Sequence, residues 1–224
     1  VYDSLGISVS GVGDLTGDGT PDILVGETGD DSLVDQNGAV LVFSGADGSF
    51  VRRLLDPGAG VRDRLGITVA GAPDMDGDGW PEVLAGAEYG NTAQGSDAGH
   101  VVVFSGRDGT VLRRLHDPLG AAGERLGNSF ALVDDHDGDG LPDVLAGARY
   151  ADAGAGAVTD GGRVVLLSSG SESTRIAVFE EPEPQVAALF GWFVASAGDL
   201  SGDGLPELLG AAPYRDSSAG ADTG

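Results

Sequence analysis

Three observations predict an all-β chain built from repeated four-stranded antiparallel blades, a β-propeller. Leu5-Gly6, Leu65-Gly66, Leu126-Gly127 and Phe190-Gly191 each open a unit, and eight residues after each glycine stands an acid: Asp14, Asp74, Asp135 or Asp199. Those acids are 60, 61 and 64 residues apart, and a fixed period of this kind is the signature of a repeat architecture. Short stretches rich in Val, Ile and Phe, flanked by glycine, recur within each unit and favour strands over helices.

Each element follows in turn. The first strand-like piece runs from the Leu-Gly pair to the acid, as in LGISVSGVGD and LGITVAGAPD. The second is short and apolar: Ile23-Leu24-Val25, Val83-Leu84-Ala85, Val144-Leu145-Ala146 and Leu208-Leu209. The third alternates, as AVLVFSG (39–45), HVVVFSG (100–106) and RVVLLSSG (163–170). The fourth follows a turn, as SFVRRLLD, TVLRRLHD and, more weakly, TRIAVFEE. Asp47-Gly48 and Asp108-Gly109 are hairpin turns, whereas Ser171-Glu172 in the third unit predicts a turn of another type.

Four antiparallel strands in about 60 residues describe a propeller blade better than a sandwich, and the hairpins argue against a solenoid. The chain is read as one array over 1–224, with repeats 1–61, 62–122, 123–186 and 187–224. The last is incomplete, so the array is a partial ring of three full blades plus half of a fourth. In an up-down-up-down blade, the loop after strand one and the turn after strand three share one end. Loops 27–37, 88–98, 149–161 and 212–224 then lie at the other end, with connections 56–63, 117–124 and 181–188.

Composition narrows the function classes. Forty glycines and 10 prolines in 224 residues imply frequent turns, and hydrophobic residues at 41% can fill a core. Thirty-six acids against 12 bases give a formal charge of −24, which repels phosphate backbones and makes nucleic acid a poor partner. Cysteine is absent, which excludes thiolate metal sites, disulfides and cysteine catalysis. No apolar run is long enough for a membrane-spanning helix, so membrane insertion is not expected. The chain begins at Val1 without a methionine and reads as a mature or excised piece of an extracellular, periplasmic or cell-surface protein.

The acids cluster in four loops: DLTGDGTPD (14–22), DMDGDGWPE (74–82), DHDGDGLPD (135–143) and DLSGDGLPE (199–207). Calcium takes six to eight oxygens at about 2.3–2.6 Å. Side chains at positions 1, 3 and 5 of a tight turn can point to one centre, and glycine at position 6 permits the bend. Position 7 offers a backbone carbonyl, from Thr20, Trp80, Leu141 or Leu205, and position 9 closes the shell with Asp22, Glu82, Asp143 or Glu207. Proline at position 8 starts the next strand without needing a donor. About four calcium ions are therefore expected. Loops two and three carry four carboxylates, Asp74, Asp76, Asp78 and Glu82, and Asp135, Asp137, Asp139 and Asp143. Loops one and four pair Asp14, Asp18 and Asp22, and Asp199, Asp203 and Glu207, with Thr16 or Ser201 at position 3, and should bind more weakly. Position 12 holds Val25, Ala85, Ala146 and Gly210 where an EF-hand needs glutamate, and tandem nine-residue repeats are absent. Magnesium demands stricter octahedral geometry and is the poorer fit.

These residues resemble the FG-GAP repeat, best known from the β-propeller of integrin α subunits. The resemblance covers nearly the whole chain. It is carried by Phe190-Gly191 and the three Leu-Gly pairs, by the DxDxDGxxD pattern of loops two and three, and by Gly210-Ala211-Ala212-Pro213 with looser GET (26–28), GAE (86–88) and GAR (147–149). It implies a seven-bladed ring, calcium between the first two strands of a blade, and ligands on the face opposite the calcium loops. Tyr89, Tyr150 and Tyr214 are read at one register on that face, with Arg149 and Arg215 beside two of them. They form either a binding patch or packing between blades with hydroxyls reaching water.

No catalytic set emerges. His100, His116 and His136 do not recur across the units and read as solvated side chains, and no nucleophile elbow or phosphate-cradling loop occurs. The chain is therefore expected to be a non-catalytic calcium-binding module for adhesion to a protein or glycan ligand. The alternative is an accessory propeller of a larger extracellular enzyme.

Overall fold

The computed structural model describes residues 4–154 and 158–216. The tail 217–224, and with it part of the last predicted loop, lies outside the described residues. The first sheet comprises β1 (Leu5–Val12), β2 (Asp22–Glu27), β3 (Ala39–Phe43) and β4 (Phe50–Leu54). The second comprises β5 (Val69–Ala72), β6 (Glu82–Ala87), β7 (His100–Phe104) and β8 (Val111–Leu115). The third comprises β9 (Phe130–Val133), β10 (Asp143–Ala148), β11 (Arg163–Leu167) and β12 (Arg175–Phe179). β13 (Phe193–Ser196) and β14 (Leu208–Ala211) pair as a two-stranded sheet. Every sheet is an antiparallel meander in sequence order, the up-down-up-down blade that the four recurring pieces predict.

The sheets stack through their first strands: β1 packs on β5, β5 on β9, and β9 on β13. Alternation along each strand divides its side chains between two neighbours. In β6, Val83, Ala85 and Ala87 join Leu24, Val40 and Val42 of the first sheet, while Leu84 joins Val144 and Ala146 of the third. Val133, Leu145, Val164 and Leu166 then meet Phe190, Val194 and Leu208 of the last. Burial on both faces explains why these strands are almost wholly apolar rather than alternating. On the first sheet Leu5, Ile7, Val9 and Ile23 are exposed, on the face that each interior sheet covers with its predecessor.

The Leu-Gly pairs differ from expectation. In units two to four they are not strand residues but clasps between neighbouring sheets. Leu65, Leu126 and Phe190 form isolated parallel bridges to Gly38, Gly99 and Gly162 of the preceding unit, and their N–H groups donate to the carbonyls of Asn37, Ala98 and Gly161 at 2.9 Å. The physical reason is backbone conformation. Arg64, Arg125 and Leu189 take φ values of 56°, 55° and 56°, and Gly66, Gly127 and Gly191 take 92°, 88° and 89°. Two left-handed residues so close together break a ladder, and strand pairing resumes only at Val69, Phe130 and Phe193.

The hairpins after the third strands behave as read from the turn residues. Ser44 and Ser105 N–H groups donate to Ser49 and Thr110 carbonyls across the turn, while Ser168 donates to Thr174, so the third turn is one residue longer and is indeed of another type.

Candidate functional site

The four acidic loops link the first and second strands of their sheets, and the hairpins after β3 and β11 lie beside them. Gly45 N–H donates to Asp22 Oδ1 at 3.0 Å, and Ser168 Oγ donates to Asp139 Oδ2 at 3.3 Å. Loops 27–37 and 88–98 and the described residues of 149–161 lie with the inter-blade connections at the opposite end, where Arg62 donates to Asp35, Gly123 to Ser96 and Ala187 to Thr159; residues 155–157 of the third predicted loop lie outside the described residues.

Within each loop the first Asp organises the turn. Asp74 Oδ1 accepts the N–H groups of Gly77 and Asp78, and its Oδ2 accepts that of Gly79; Asp14 and Asp199 do the same in their loops, and Asp135 accepts the N–H groups of Gly138 and Gly140. These amides, with Gly19, Gly79 and Gly140 first, hold Asp14, Asp74 and Asp135 below the usual carboxylate range. The position-5 carboxylates of Asp18, Asp78, Asp139 and Asp203 accept the N–H of Thr20, Trp80, Leu141 and Leu205 at 2.8–2.9 Å, which turns the chain sharply at the intervening glycine. Gly19, Gly79, Gly140 and Gly204 all have φ near +90° (86–92°), conformations that L side chains avoid.

Convergence differs from loop to loop. In loop two Asp74, Asp76, Asp78 and Glu82 all bring an oxygen within 4.8 Å of one another, the span that two ligands across one calcium shell would have. Loop three assembles Asp135, Asp137 and Asp143, and loop four assembles Asp199, Asp203 and Glu207. Asp139 stays outside its group, turned to Leu141 and Ser168. Loop one forms no such group: Asp22 spends one oxygen on Leu15 N–H and the other on Gly45 N–H, and Thr16 Oγ1 donates to Asp14.

Three of the four position-9 acids sit where a carboxylate is hard to keep, Glu207 being only part-buried. Asp22, Glu82 and Asp143 are buried, the last two fully. Glu82 Oε2 accepts Met75 N–H and Asp143 Oδ2 accepts His136 N–H, but Glu82 Oε1 and Asp143 Oδ1 are buried without a hydrogen bond. Burial pushes Glu82 up to about 7, with Met75 N–H opposing the shift and Asp76, Asp74 and Asp78 adding repulsion. Burial likewise raises Asp143. An all-oxygen donor set with an orphaned buried oxygen at its base fits a hard divalent cation.

At the other end the tyrosines separate. Tyr89 and Tyr150 share a register, three residues after Gly86 and Gly147, but Tyr214 is four after Gly210. Arg64, Arg125 and Arg149 lie over Tyr89, Tyr150 and Trp192, while Tyr214 meets Trp192 edge-on, with centroids 5.7 Å apart. Arg215 pairs with Glu181 instead. Arg64, Arg125, Glu88 and Trp192 were not legible as site residues from composition. The available signal was the recurrence of arginine just before two Leu-Gly pairs.

The histidines are not solvated as their polarity suggested. His100 is buried at the start of β7 beneath loop 88–98, with both ring nitrogens unpaired. It lines a cleft of about 180 Å³ with Asn91, Thr92, Arg114, His116 and Glu172. His116 is half-buried, and His136 Nδ1 donates to the Asp134 carbonyl at 2.6 Å and stands 3.8 Å from Asp143 Oδ2. Burial, with Arg114 and His116 adding to it and Asp56 opposing it, lowers His100 to about 4. Its folded pKa is therefore below the unfolded value near 6.5. The stability it contributes is full above 6.5 and is lost as pH falls toward 4. Relative to His100→Gln, wild type should lose up to about 3 kcal/mol between pH 7 and 4. Urea unfolding of both across that range checks this, and a pH-independent difference would refute it.

The fold and its loops define the class: a partial β-propeller with an acidic turn between the first two strands of each blade. The FG-GAP repeat model matches residues 5–43, 65–104 and 190–224, and the chain belongs to that repeat family. The third sheet lies outside the matched stretches although its strands repeat the same pairing. Among curated proteins the chain is similar to integrin alpha-PS5 of Drosophila melanogaster, at 30% identity over 169 residues, 74% of this chain and 17% of the relative. It is similar to human integrin alpha-7 at 26% over 181 residues, 78% of this chain and 14% of the relative. Integrin alpha-4 of Xenopus laevis shares 31% over 148 residues, 62% of this chain and 14% of the relative. The chain thus spans less than a fifth of these relatives. No helix among the described residues is long and apolar enough to cross a membrane.

Proposed function

We propose that the chain is a calcium-binding β-propeller module of a secreted or surface protein, non-catalytic, which binds a protein ligand on the face opposite the acidic loops. Loop two carries the reading: four carboxylates within 4.8 Å, one of them buried with an orphaned oxygen. Asp74, Asp76, Asp78 and Glu82 would hold the ion there, with the Trp80 carbonyl. Asp135, Asp137, Asp143 and the Leu141 carbonyl would act in loop three, with Asp139 joining after a rotation away from Ser168. Asp199, Ser201, Asp203, Glu207 and the Leu205 carbonyl would act in loop four. In loop one Asp14, Thr16, Asp18, Asp22 and the Thr20 carbonyl form the weakest site, because Asp22 must first release two amides. When bound, the ion replaces mutual repulsion by coordination, so its binding free energy becomes stability of the first hairpin of each blade.

The adhesion role is supported by similarity to integrin α subunits. Isothermal titration with calcium tests the metal reading. Asp76→Ala should weaken the tightest site by about tenfold or more, the loss of one charged ligand, whereas Thr16→Ala should leave that site unchanged. Four equal sites, or indifference to Asp76→Ala, would count against it.

A further inference from the structure

We propose that Arg125 anchors a carboxylate of the protein ligand, on the face away from the acidic loops. The inference rests on the reading of the chain as a ligand-binding module and names the chemistry its partner presents.

The Arg125 guanidinium lies over both Tyr89 and Tyr150, 4.4 Å from each ring centroid. Arg64 lies over Tyr89 at 5.0 Å, and Arg149 over Tyr150 at 5.3 Å and Trp192 at 4.6 Å. Cations and rings thus alternate across the blade junctions. The two outer arginines share a carboxylate: Glu88 is 2.6 Å from Arg149 and 3.9 Å from Arg64. Arg125 has no ion pair and no side-chain hydrogen bond among the described residues. Every other half-buried arginine has one or the other; even Arg52 and Arg113, which lack ion pairs, donate to backbone carbonyls. In a chain with 36 acids and 12 bases, a half-buried arginine with neither an ion pair nor a side-chain hydrogen bond among the described residues is the exception that calls for a ligand.

Stacking rings occupy the faces of the guanidinium and leave its N–H edge as the open side. That edge is a planar fork matched to a carboxylate, and the adjacent rings lower the local dielectric beside it, which strengthens a charged hydrogen bond. The backbone beneath the stack is already held in place. The backbone N–H of Arg125 donates to Asp97 O at 3.1 Å, and the backbone N–H groups of Tyr89 and Tyr150 donate to the Asp63 and Glu124 carbonyls at 3.3 Å, so little main-chain ordering remains to oppose binding. A phosphate fits less well, because it calls for further free guanidinium edges and Glu88 already engages both neighbours, offsetting one of their two charges. The net charge of −24 does not forbid an acidic ligand. The acidic loops lie at the far ends of the strands, about 17–20 Å away, and salt screens charges beyond about 8 Å.

The test follows the side-chain N–H resonance of Arg125 in the whole chain. The probes are acetyl-Gly-Asp-Gly-amide, the same peptide with Asn for Asp, and inorganic phosphate, all at fixed ionic strength. The expected result is a saturable shift with the Asp peptide, binding about fivefold or more tighter than the Asn peptide or phosphate, the gain of one charge-assisted pair. Tyrosine fluorescence should report the same binding, weakened in Arg125→Lys, which keeps charge but loses the fork, and absent in Arg125→Gln. Equal shifts with the Asn peptide or phosphate, or undiminished binding by a folded Arg125→Gln, would overturn the proposal. Melting each sample with and without EGTA separates the two readings. A calcium-dependent melt without an Asp-specific shift defeats Arg125 alone, and an Asp-specific shift with a calcium-independent melt defeats the calcium reading alone.

Discussion

Adding EGTA to the calcium-loaded protein should lower its Tm by on the order of 15–30 °C. Each occupied loop adds about 2.7 kcal/mol when free calcium is a hundredfold above Kd. Three loops with converging carboxylates therefore add about 8 kcal/mol, and each kcal/mol moves the Tm of a chain this size by about 2–4 °C. The mechanism is local but its reach is global. Without an ion, Asp74, Asp76 and Asp78 face one another and the buried Glu82, and like charges in one turn raise the free energy of the fold. The loop cannot splay without pulling Met75, buried against the second and third sheets, out of the core. Excess calcium should restore the original Tm and magnesium should restore much less, since magnesium demands near-ideal octahedral geometry and dehydrates reluctantly. Calorimetry on one sample through both steps is sufficient. A melt indifferent to the chelator would remove the basis for the metal.

Much of this was legible in the chain itself, and the exceptions have physical causes. The strands were readable because burial on both faces makes them continuous apolar runs, and the period was readable because each acidic loop repeats its glycines. Strand onset was not: Leu65 and Leu126 are apolar for packing between sheets, and the left-handed residues on either side of them leave no mark in a hydrophobic pattern when one of the pair is arginine. Convergence within the loops was half legible. Loops two and three have identical acid counts, yet a serine hydroxyl from the neighbouring hairpin turns Asp139 aside. That partner is 29 residues away. Asp22 and Glu82 occupy one motif position, but only Asp22 takes an amide from the neighbouring hairpin. His100 was misread because polarity predicts exposure only where nothing folds over the strand, and loop 88–98 covers it. The arginine–tyrosine stack is similarly non-local: Arg125 meets Tyr89 and Tyr150, neighbours only once three blades are assembled.

Gly86→Ala should destabilise the protein by about 3 kcal/mol or more, a fall in Tm of about 10 °C. An added Cβ would stand 2.1 Å from the Gly127 carbonyl oxygen of the next sheet, far inside van der Waals contact, and that oxygen belongs to backbone rather than to a side chain that can swing away. Nor can the two sheets part cheaply. Leu126 N–H donates to Ala98 O at 2.9 Å and Thr68 Oγ1 donates to Asn128 O at 2.8 Å, both across the junction between the second and third sheets. Gly26 and Gly147 face Gly66 and Gly191 in the same way, each with 2.0 Å to the opposing oxygen, so the glycines run as a clasp along the whole array. This gives the glycine of GET, GAE and GAR a purely steric reason, independent of any metal. Gly11→Ala is the control, since its Cβ would meet nothing within 4 Å and the change should be neutral or stabilising by about 0.5 kcal/mol. Because the clasp is remote from the acidic loops, the Gly86→Ala loss should persist undiminished in saturating calcium. Equal stability of the two alanine variants would show that the sheets slide past one another freely, and the close approach at Gly86 would then not be what fixes blade spacing.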